Sequence, residues 1–133
     1  MNDRTSDEQA VRATALDYFE GWYAADLARV DRALHPALVK RSAVQVGAQP
    51  PSLTTKERML ELVRAGGGVE DRTDDPIEVT VVDVHHDVAA AVVRSAQYRE
   101  YLHLVRTGAR WQVVNAFWQL TDPAGEPGQD DAR

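Results

Sequence analysis

The sequence predicts an α+β fold in which three helices pack on one face of a strongly curved, mostly antiparallel sheet. Two observations predict it. Patterns of helical period occupy the first half of the chain, and runs rich in β-branched residues occupy the second half. Helices that come early and antiparallel strands that come late are typical of α+β proteins. The chain has 133 residues, the length of one domain. We assign this domain to residues 1–121 and predict a disordered tail over 122–133, which has no apolar anchor.

The first helix follows a capping box formed by Ser6 with Gln9, or by Thr5 with Glu8. Apolar residues then recur at intervals of three and four, at Val11, Ala15, Tyr18, Trp22 and Ala25. Asp26 is a plausible N-cap for a second, short helix, which we expect Pro36 to end because a residue before proline leaves the helical region.

The next elements are a strand and a third helix. Residues 38–46 alternate loosely, which predicts a first strand with Leu38, Lys40 and Ser42 on one face. The stretch "GAQPPS" reads as a loop. A second capping box, Thr54 with Glu57, begins the third helix, and the three glycines at 66–68 end it.

The second half of the chain predicts a meander of long strands. Residues 77–84 and 88–93 form a hairpin around "HHD", and a further pair turns at "TGAR" and ends in "WQVVNAFWQL". We expect the face of the sheet away from the helices to carry Val114, Ala116 and Trp118. A sheet that is apolar on both faces needs a second cover, so we predict a homodimer through this outer face.

The amino-acid composition limits the classes of molecule that we expect this protein to bind. The formal net charge is −6 and no cluster of basic residues appears, which disfavours nucleic acid. The absence of cysteine excludes disulfides and thiolate chemistry. No apolar run approaches the roughly 20 residues that span a bilayer, and "MNDRTSDEQ" is not a signal sequence. We therefore expect a cytoplasmic protein without cofactor or metal, whose partner is a small molecule.

Two stretches resemble the nuclear transport factor 2-like superfamily, whose fold is a cone-shaped α+β roll. They are "YFEGWYAADLARVDRALHP" and "YLHLVRTGARWQVVNAFW", and the resemblance covers about residues 7–121. Within the superfamily the chain looks most like the group named for lumazine binding. It is also similar to ketosteroid isomerases and SnoaL-like polyketide cyclases. This fold hosts isomerases, dehydratases, cyclases and plain binding modules, so the resemblance implies a pocket rather than one reaction.

The resemblance to the isomerases also implies roles. Tyr18 and Asp26 have the eight-residue spacing of the isomerases' oxyanion-binding tyrosine and the aspartate of the second helix. Counting back from Gly108 puts Glu100 near the family's protonated acid, unless a β-bulge substitutes Arg99 or Tyr101. Ser42 takes the place of the family's aspartate base, and a serine without a partner cannot remove a carbon-bound proton. This departure argues against a 3-oxosteroid isomerase.

Eleven side chains are candidates for the pocket. Tyr18, Glu100, His35 and His103 are candidate acids, bases or oxyanion ligands. The predicted ligand contacts are Trp22, Lys40, Ser42, Met59, Tyr98, Asn115 and Phe117. Each also has an ordinary structural interpretation: core packing for the aromatic residues, solvent exposure for Lys40 and a surface salt bridge for Glu100. His35 could instead satisfy a helix C-terminus, and His103 could lie at the dimer interface. His85 and His86 are of a type that binds metal ions. Adjacent residues on a strand point to opposite faces, however, so we interpret these two as solvated turn residues.

Three functions remain open from the sequence. The first is a module that binds a flat or hydrophobic organic molecule. The second is a cofactor-independent isomerase, dehydratase or cyclase. The third is a dimeric interaction domain whose interior is filled by its own side chains.

Overall fold

The computed structural model describes residues 3–43 and 52–122. The elements run in the order α1 (Asp3–Ala24), α2 (Leu27–Ala33), β1 (Leu34–Ser42), β2 (Ser52–Thr55), α3 (Lys56–Arg64), a 3-10 turn (Val69–Asp71), β3 (Glu78–His85), β4 (Val88–Arg94), β5 (Tyr98–Thr107) and β6 (Arg110–Leu120). The six strands form one sheet in the order β2-β1-β6-β5-β4-β3. Its pairs are antiparallel except for β1 with β6. The predicted α+β fold, with three helices on a mostly antiparallel sheet, is confirmed.

The fold-back between α1 and α2 is tight for local reasons. Ala25 adopts a left-handed φ of 54°, and the Asp26 carboxylate accepts a hydrogen bond from the Arg29 amide at 3.2 Å, as predicted for an N-cap. At Gly21 the two helices nearly touch, since a Cβ there would lie 2.7 Å from Cγ2 of Val30. The glycine therefore permits the close crossing of the two helices.

The end of α2 and the start of β1 differ from the prediction. The helix ends at Ala33 and the strand begins at Leu34, so Pro36 lies inside the strand rather than before it. The register between β1 and β6 shifts between Leu34 and Val39. Residues 35–37 therefore stand outside the regular ladder, where a proline without an N–H is tolerated. The described part of the strand ends at Ser42, and the predicted continuation over 44–46 lies outside the described residues.

The third helix begins one residue later than predicted. Thr55, rather than Thr54, is the N-cap, and its hydroxyl accepts from the Arg58 amide at 3.2 Å. A short strand, β2, precedes it and pairs with β1, which the sequence did not predict. Most of the predicted loop "GAQPPS" lies outside the described residues. The glycine stop is observed, with Gly66 at φ 78° directly after the last helical turn.

Both predicted hairpins are present. The β3–β4 turn places His86 at φ 52°, and the β5–β6 turn places Gly108 at φ 65°. The pairing of β5 with β6 contains a bulge, because His103 pairs with Asn115 whereas Leu104 pairs with Val113. Val114 is the extra residue. It reverses the direction of every side chain that follows it on β6 relative to an unbulged strand.

This reversal corrects the predicted outer face. Ala116 is buried against the helices, and Trp118 also points inward. Val114 does border the groove on the outer face, as predicted. Val92, Tyr101 and Phe117 also belong to this face and lie side by side on three neighbouring strands. Tyr101 and Phe117 are 50% and 45% exposed. The outer face therefore carries apolar residues, as expected, but Ala116 and Trp118 are not among them.

The core lies between the inner face of the sheet and the three helices. Its fully buried side chains come from every layer: Val11 and Tyr18 in α1, Val30 in α2, Met59 and Val63 in α3, and Val93, Leu102, Leu104 and Val113 in the sheet. None of the helices in residues 3–43 and 52–122 combines the length and the hydrophobicity that a bilayer-spanning segment requires. Of the predicted tail, only Asp122 falls within the described residues.

Candidate functional site

A cavity of about 120 Å³ lies between α1, α3 and the inner face of the sheet. Its wall is mostly aromatic and aliphatic with a few polar groups, the usual composition of a small-molecule site. The lining residues are Tyr18, Phe19, Trp22, Lys40, Thr54, Met59, Leu62, Tyr98, Glu100 and Trp118.

Three polar side chains meet in the wall of this cavity. The Tyr18 hydroxyl donates to Oε2 of Glu100 at 2.6 Å. The Lys40 ammonium donates to the same hydroxyl at 2.6 Å and lies 3.6 Å from that carboxylate oxygen. Residues from α1, β1 and β5 thus form one hydrogen-bonded cluster, which we call the Lys40–Tyr18–Glu100 cluster.

The cluster is almost free of water contact. The Lys40 side chain is 14% exposed and that of Glu100 is 3% exposed. Burial lowers the pKa of Lys40, and the nearby Glu100 carboxylate opposes this shift. Burial, followed by the negative charge of Glu100, raises the pKa of Tyr18 well above its usual value. The Tyr18 hydroxyl therefore keeps its proton at neutral pH and donates a hydrogen bond to the Glu100 carboxylate.

Aromatic rings frame the cluster. The Lys40 ammonium lies 5.2 Å from the ring centre of Tyr18 and 5.8 Å from that of Trp118, within the range of cation–π attraction. Tyr98 meets Trp118 edge to face with ring centres 5.3 Å apart. The Tyr98 hydroxyl donates to Asp71 at 3.3 Å, and burial, followed by the charge of Asp71, raises the pKa of Tyr98.

Trp22 is seated against the glycine turn that follows α3. A Cβ on Gly68 would lie 2.5 Å from Nε1 of Trp22, and one on Gly67 would lie 2.8 Å from its Cη2. No side chain can occupy these positions while the indole stays in place. The glycines that end the helix thus also fix one wall of the cavity.

Six of the eleven candidate residues lie at the cavity. Alternation along β5 puts Tyr98 and Glu100 on the inner face, and helical spacing puts Tyr18 and Trp22 on one stripe. The six are Tyr18, Trp22, Lys40, Met59, Tyr98 and Glu100. Ser42 is buried, at 5% exposure, on the same side of β1 as Lys40, but it does not line the cavity.

The other four candidates lie on the opposite face of the sheet. His35, His103 and Asn115 border an open groove of about 600 Å³ there, and Phe117 is 45% exposed. The expectation that Asn115 and Phe117 line the cavity is corrected by the Val114 bulge, which turns both outward. His35 instead accepts a hydrogen bond from the Ala37 amide through Nδ1 at 2.9 Å. Neither histidine lies near the Lys40–Tyr18–Glu100 cluster.

Four lining residues were not predicted: Phe19, Thr54, Leu62 and Trp118. Trp118 is the most informative, because it pairs with Glu100 across β5 and β6. An unbulged count from the turn would give Phe117 that position. Trp118 is placed at the cavity only when the pairing of β5 with β6 is counted with one extra residue in β6. Within residues 3–43 and 52–122, no group of three or more His, Cys, Asp or Glu side chains could hold a metal ion.

Comparison with known proteins agrees with this architecture. Residues 6–119 match the sequence model of a family described as "Putative lumazine-binding". A solved NTF-2-like protein of unknown function from Silicibacter pomeroyi DSS-3 superposes with a TM-score of 0.73 at 13% identity, covering 90% of this chain and 99% of that one. A ketosteroid isomerase-like protein from Erwinia carotovora atroseptica gives 0.62 at 19% identity, covering 91% and 98%. At these identities the likeness concerns the fold alone. No curated protein matches the sequence.

Proposed function

We propose, on the premise that this chain belongs to the family described as "Putative lumazine-binding", that its cavity binds a small, flat organic molecule with a polar edge. One observation carries the proposal: the three polar groups of the Lys40–Tyr18–Glu100 cluster lie in the wall of an otherwise aromatic and aliphatic cavity. A cavity of about 120 Å³ is close to the size, about 150 Å³, that holds benzene in another protein. The ligand therefore has roughly one ring.

Different residues of the cavity wall would contact different parts of the ligand. Trp22, Tyr98 and Trp118 offer ring surfaces to a flat ligand. Lys40 has three N–H donors, of which one reaches Tyr18, so others remain to bind a carbonyl or anionic oxygen of the ligand. Aliphatic contacts from Met59 and Leu62 complete the enclosure on the α3 side.

Native mass spectrometry of the purified chain tests the proposal, together with quenching of tryptophan emission. Two of the three tryptophans line the cavity, so an occupied cavity changes the emission. The probes are benzyl alcohol and benzaldehyde, each with one ring. We expect saturable quenching that is weakened by Trp118→Ala and unaffected by Arg110→Ala, a change at an exposed position. The proposal fails if no probe binds and no small molecule accompanies the protein.

A second candidate function is acid–base catalysis in the same cavity, as in a cofactor-independent isomerase, dehydratase or cyclase. The 2.6 Å contact between Tyr18 and Glu100 favours it, because a phenol and a carboxylate are then placed to act on one bound carbonyl compound. Glu100 would remove a proton from carbon while Tyr18 donates to the oxygen that gains negative charge.

Deuterium exchange into cyclohexanone, followed by NMR, tests this second function. The wild-type protein should accelerate the exchange, and Tyr18→Phe and Glu100→Gln should each abolish the acceleration while leaving the melting temperature nearly unchanged. The matched control is His103→Gln, on the opposite face of the sheet, which should accelerate the exchange as the wild-type protein does. Equal residual rates in the two cavity variants and the wild type would exclude the mechanism.

We also propose that two copies of the chain associate through the outer face of the sheet. The row of Val92, Tyr101 and Phe117 exposes two large aromatic side chains that a two-fold axis would bury against their own copies. Light scattering after size exclusion should give a dimer for the wild type and a monomer for Phe117→Lys. A monomeric wild type at micromolar concentration would contradict this assembly.

A further inference from the structure

The chain contains two lysines, and they occupy different surroundings. Lys56 donates to the backbone carbonyl of Asp31 at 3.0 Å and pairs with its carboxylate at 3.2 Å; at 16% its side chain is about as exposed as that of Lys40, at 14%, but it does not line the cavity. Lys40 instead lies in the wall of the cavity between the rings of Tyr18 and Trp118. A primary amine enclosed by aromatic groups, and accessible to whatever enters the cavity, is a potential nucleophile.

An amine attacks carbon only when it has lost its proton, so the proton needs an acceptor. The cluster supplies a path, because Nζ of Lys40 lies 2.6 Å from the Tyr18 hydroxyl and that hydroxyl lies 2.6 Å from Oε2 of Glu100. When the Lys40 ammonium gives a proton to the phenol oxygen, the phenol can pass its own proton to the carboxylate. The result is a neutral amine beside a neutral carboxylic acid. The lowered pKa of Lys40 acts in the same direction.

We propose that Lys40 forms an imine with a small aromatic or conjugated aldehyde or ketone held in the cavity. This inference rests on the proposed binding function and names the class of its ligand. The amine nitrogen attacks the carbonyl carbon, and one of the two protons on that nitrogen moves to the carbonyl oxygen to give a neutral carbinolamine. A second proton, returned from Glu100 through Tyr18, leaves with that hydroxyl as water. One C=O bond is replaced by one C=N bond, and no oxidant or reductant is required.

The surroundings suit this reaction. Lys40 and Tyr18 line a cavity whose other residues are mainly aromatic and aliphatic, and such surroundings favour an imine over its hydrolysis. The imine nitrogen, once protonated, keeps the position of the original ammonium and therefore its attraction to Glu100, 3.6 Å away.

The test uses the full chain, benzaldehyde as the probe and sodium cyanoborohydride to reduce any imine to a stable amine. Intact mass should show one added benzyl group, and peptide mapping should place it on Lys40, with Lys56 labelled on the order of tenfold less. Lys56→Arg should label as the wild type does. Tyr18→Phe, which interrupts the proton path, should slow the labelling of Lys40 at a saturating concentration of benzaldehyde. Benzyl alcohol, which has no carbonyl group, should protect Lys40 in competition.

Two outcomes separate this inference from the binding proposal. If benzaldehyde quenches tryptophan emission saturably but Lys40 is not labelled, the imine is excluded while the binding function stands. If neither binding nor labelling occurs, both are overturned. Equal labelling of Lys40 and Lys56 also overturns the inference, and this result needs no variant that must fold.

Discussion

Replacing Gly68 in the glycine turn by alanine adds one methyl group, which should displace Trp22 and so alter the cavity. In Gly68→Ala the new Cβ would lie 2.5 Å from Nε1 of Trp22 and 2.6 Å from its Cδ1 and Cε2. Non-bonded atoms of this kind rest at about 3.5 Å, so the indole must retreat by roughly 1 Å. Trp22 also lines the cavity, so we expect this displacement to change the shape of the cavity.

The cost of this displacement can be estimated. Forcing one extra methyl group into a packed contact destabilises a domain by about 1–3 kcal/mol. At roughly 4 °C for each kcal/mol in a chain of this size, the melting temperature should fall by about 4–12 °C. We also expect the emission spectrum of Trp22 to change and the binding of benzyl alcohol to weaken. Thermal unfolding monitored by circular dichroism, together with fluorescence titration, measures all three effects.

Two comparisons isolate the clash from any general effect of alanine in the turn. Gly66→Ala strains the backbone, because Gly66 has φ 78°, but its Cβ meets only Val69 at 3.8 Å. It should lower stability without altering the Trp22 emission. In a Trp22→Leu background the indole is absent, so Gly68→Ala should cost much less there than in the wild type. An equal cost in both backgrounds would refute the reasoning.

Three further predictions concern ionisation, packing and capping. Burial raises the pKa values of Tyr18, Tyr23 and Tyr98, so the folded state holds more protons than the unfolded state above pH of about 10. The stability that these phenols contribute is complete below that pH and is lost as the pH rises. Absorbance at 295 nm should show full tyrosine ionisation only when the chain unfolds. Ionisation of all four tyrosines before unfolding would contradict this prediction. Leu104→Ala, at a position 1% exposed, should cost about 2–5 kcal/mol in urea unfolding, and a cost below about 1 kcal/mol would show that the site collapses around the gap. Asp26→Ala should cost about 0.5–2 kcal/mol in the same assay, with Asp26→Asn restoring most of it; no loss would mean that the cap contributes nothing.

The elements that the sequence predicts correctly are those fixed by their own residues. The N-cap at Asp26, the glycine stop after α3 and the turn at Gly108 each depend on contacts within a few positions. The start of β1 was misplaced because it depends on pairing with β6, some 80 residues away. A proline inside a strand is acceptable only where that remote partner leaves a gap in the ladder.

The cavity shows the same division between local and remote causes. Tyr18 and Glu100 could be placed on inward faces from the periods of a helix and a strand. The faces of Asn115, Phe117 and Trp118 could not, because the extra residue at Val114 reverses them. Nothing in the neighbouring residues marks Val114 as a bulge. The position of the bulge is determined by which side chains of β6 pack against the helices, and this packing exists only in the folded core.

The parallel pair of β1 and β6 has a consequence for biosynthesis. The last strand of the described residues, β6 (Arg110–Leu120), lies in the middle of the sheet, between β1, the first of these strands, and β5. Until it emerges, β1 can pair only with the short β2, and the hairpins of the second half lack their neighbour. Closure of the long chain loop between β1 and β6 therefore waits for residues 110–120, and a nascent chain stalled before residue 110 exposes the unpaired edges of β1 and β5, which chaperones or aggregation would capture.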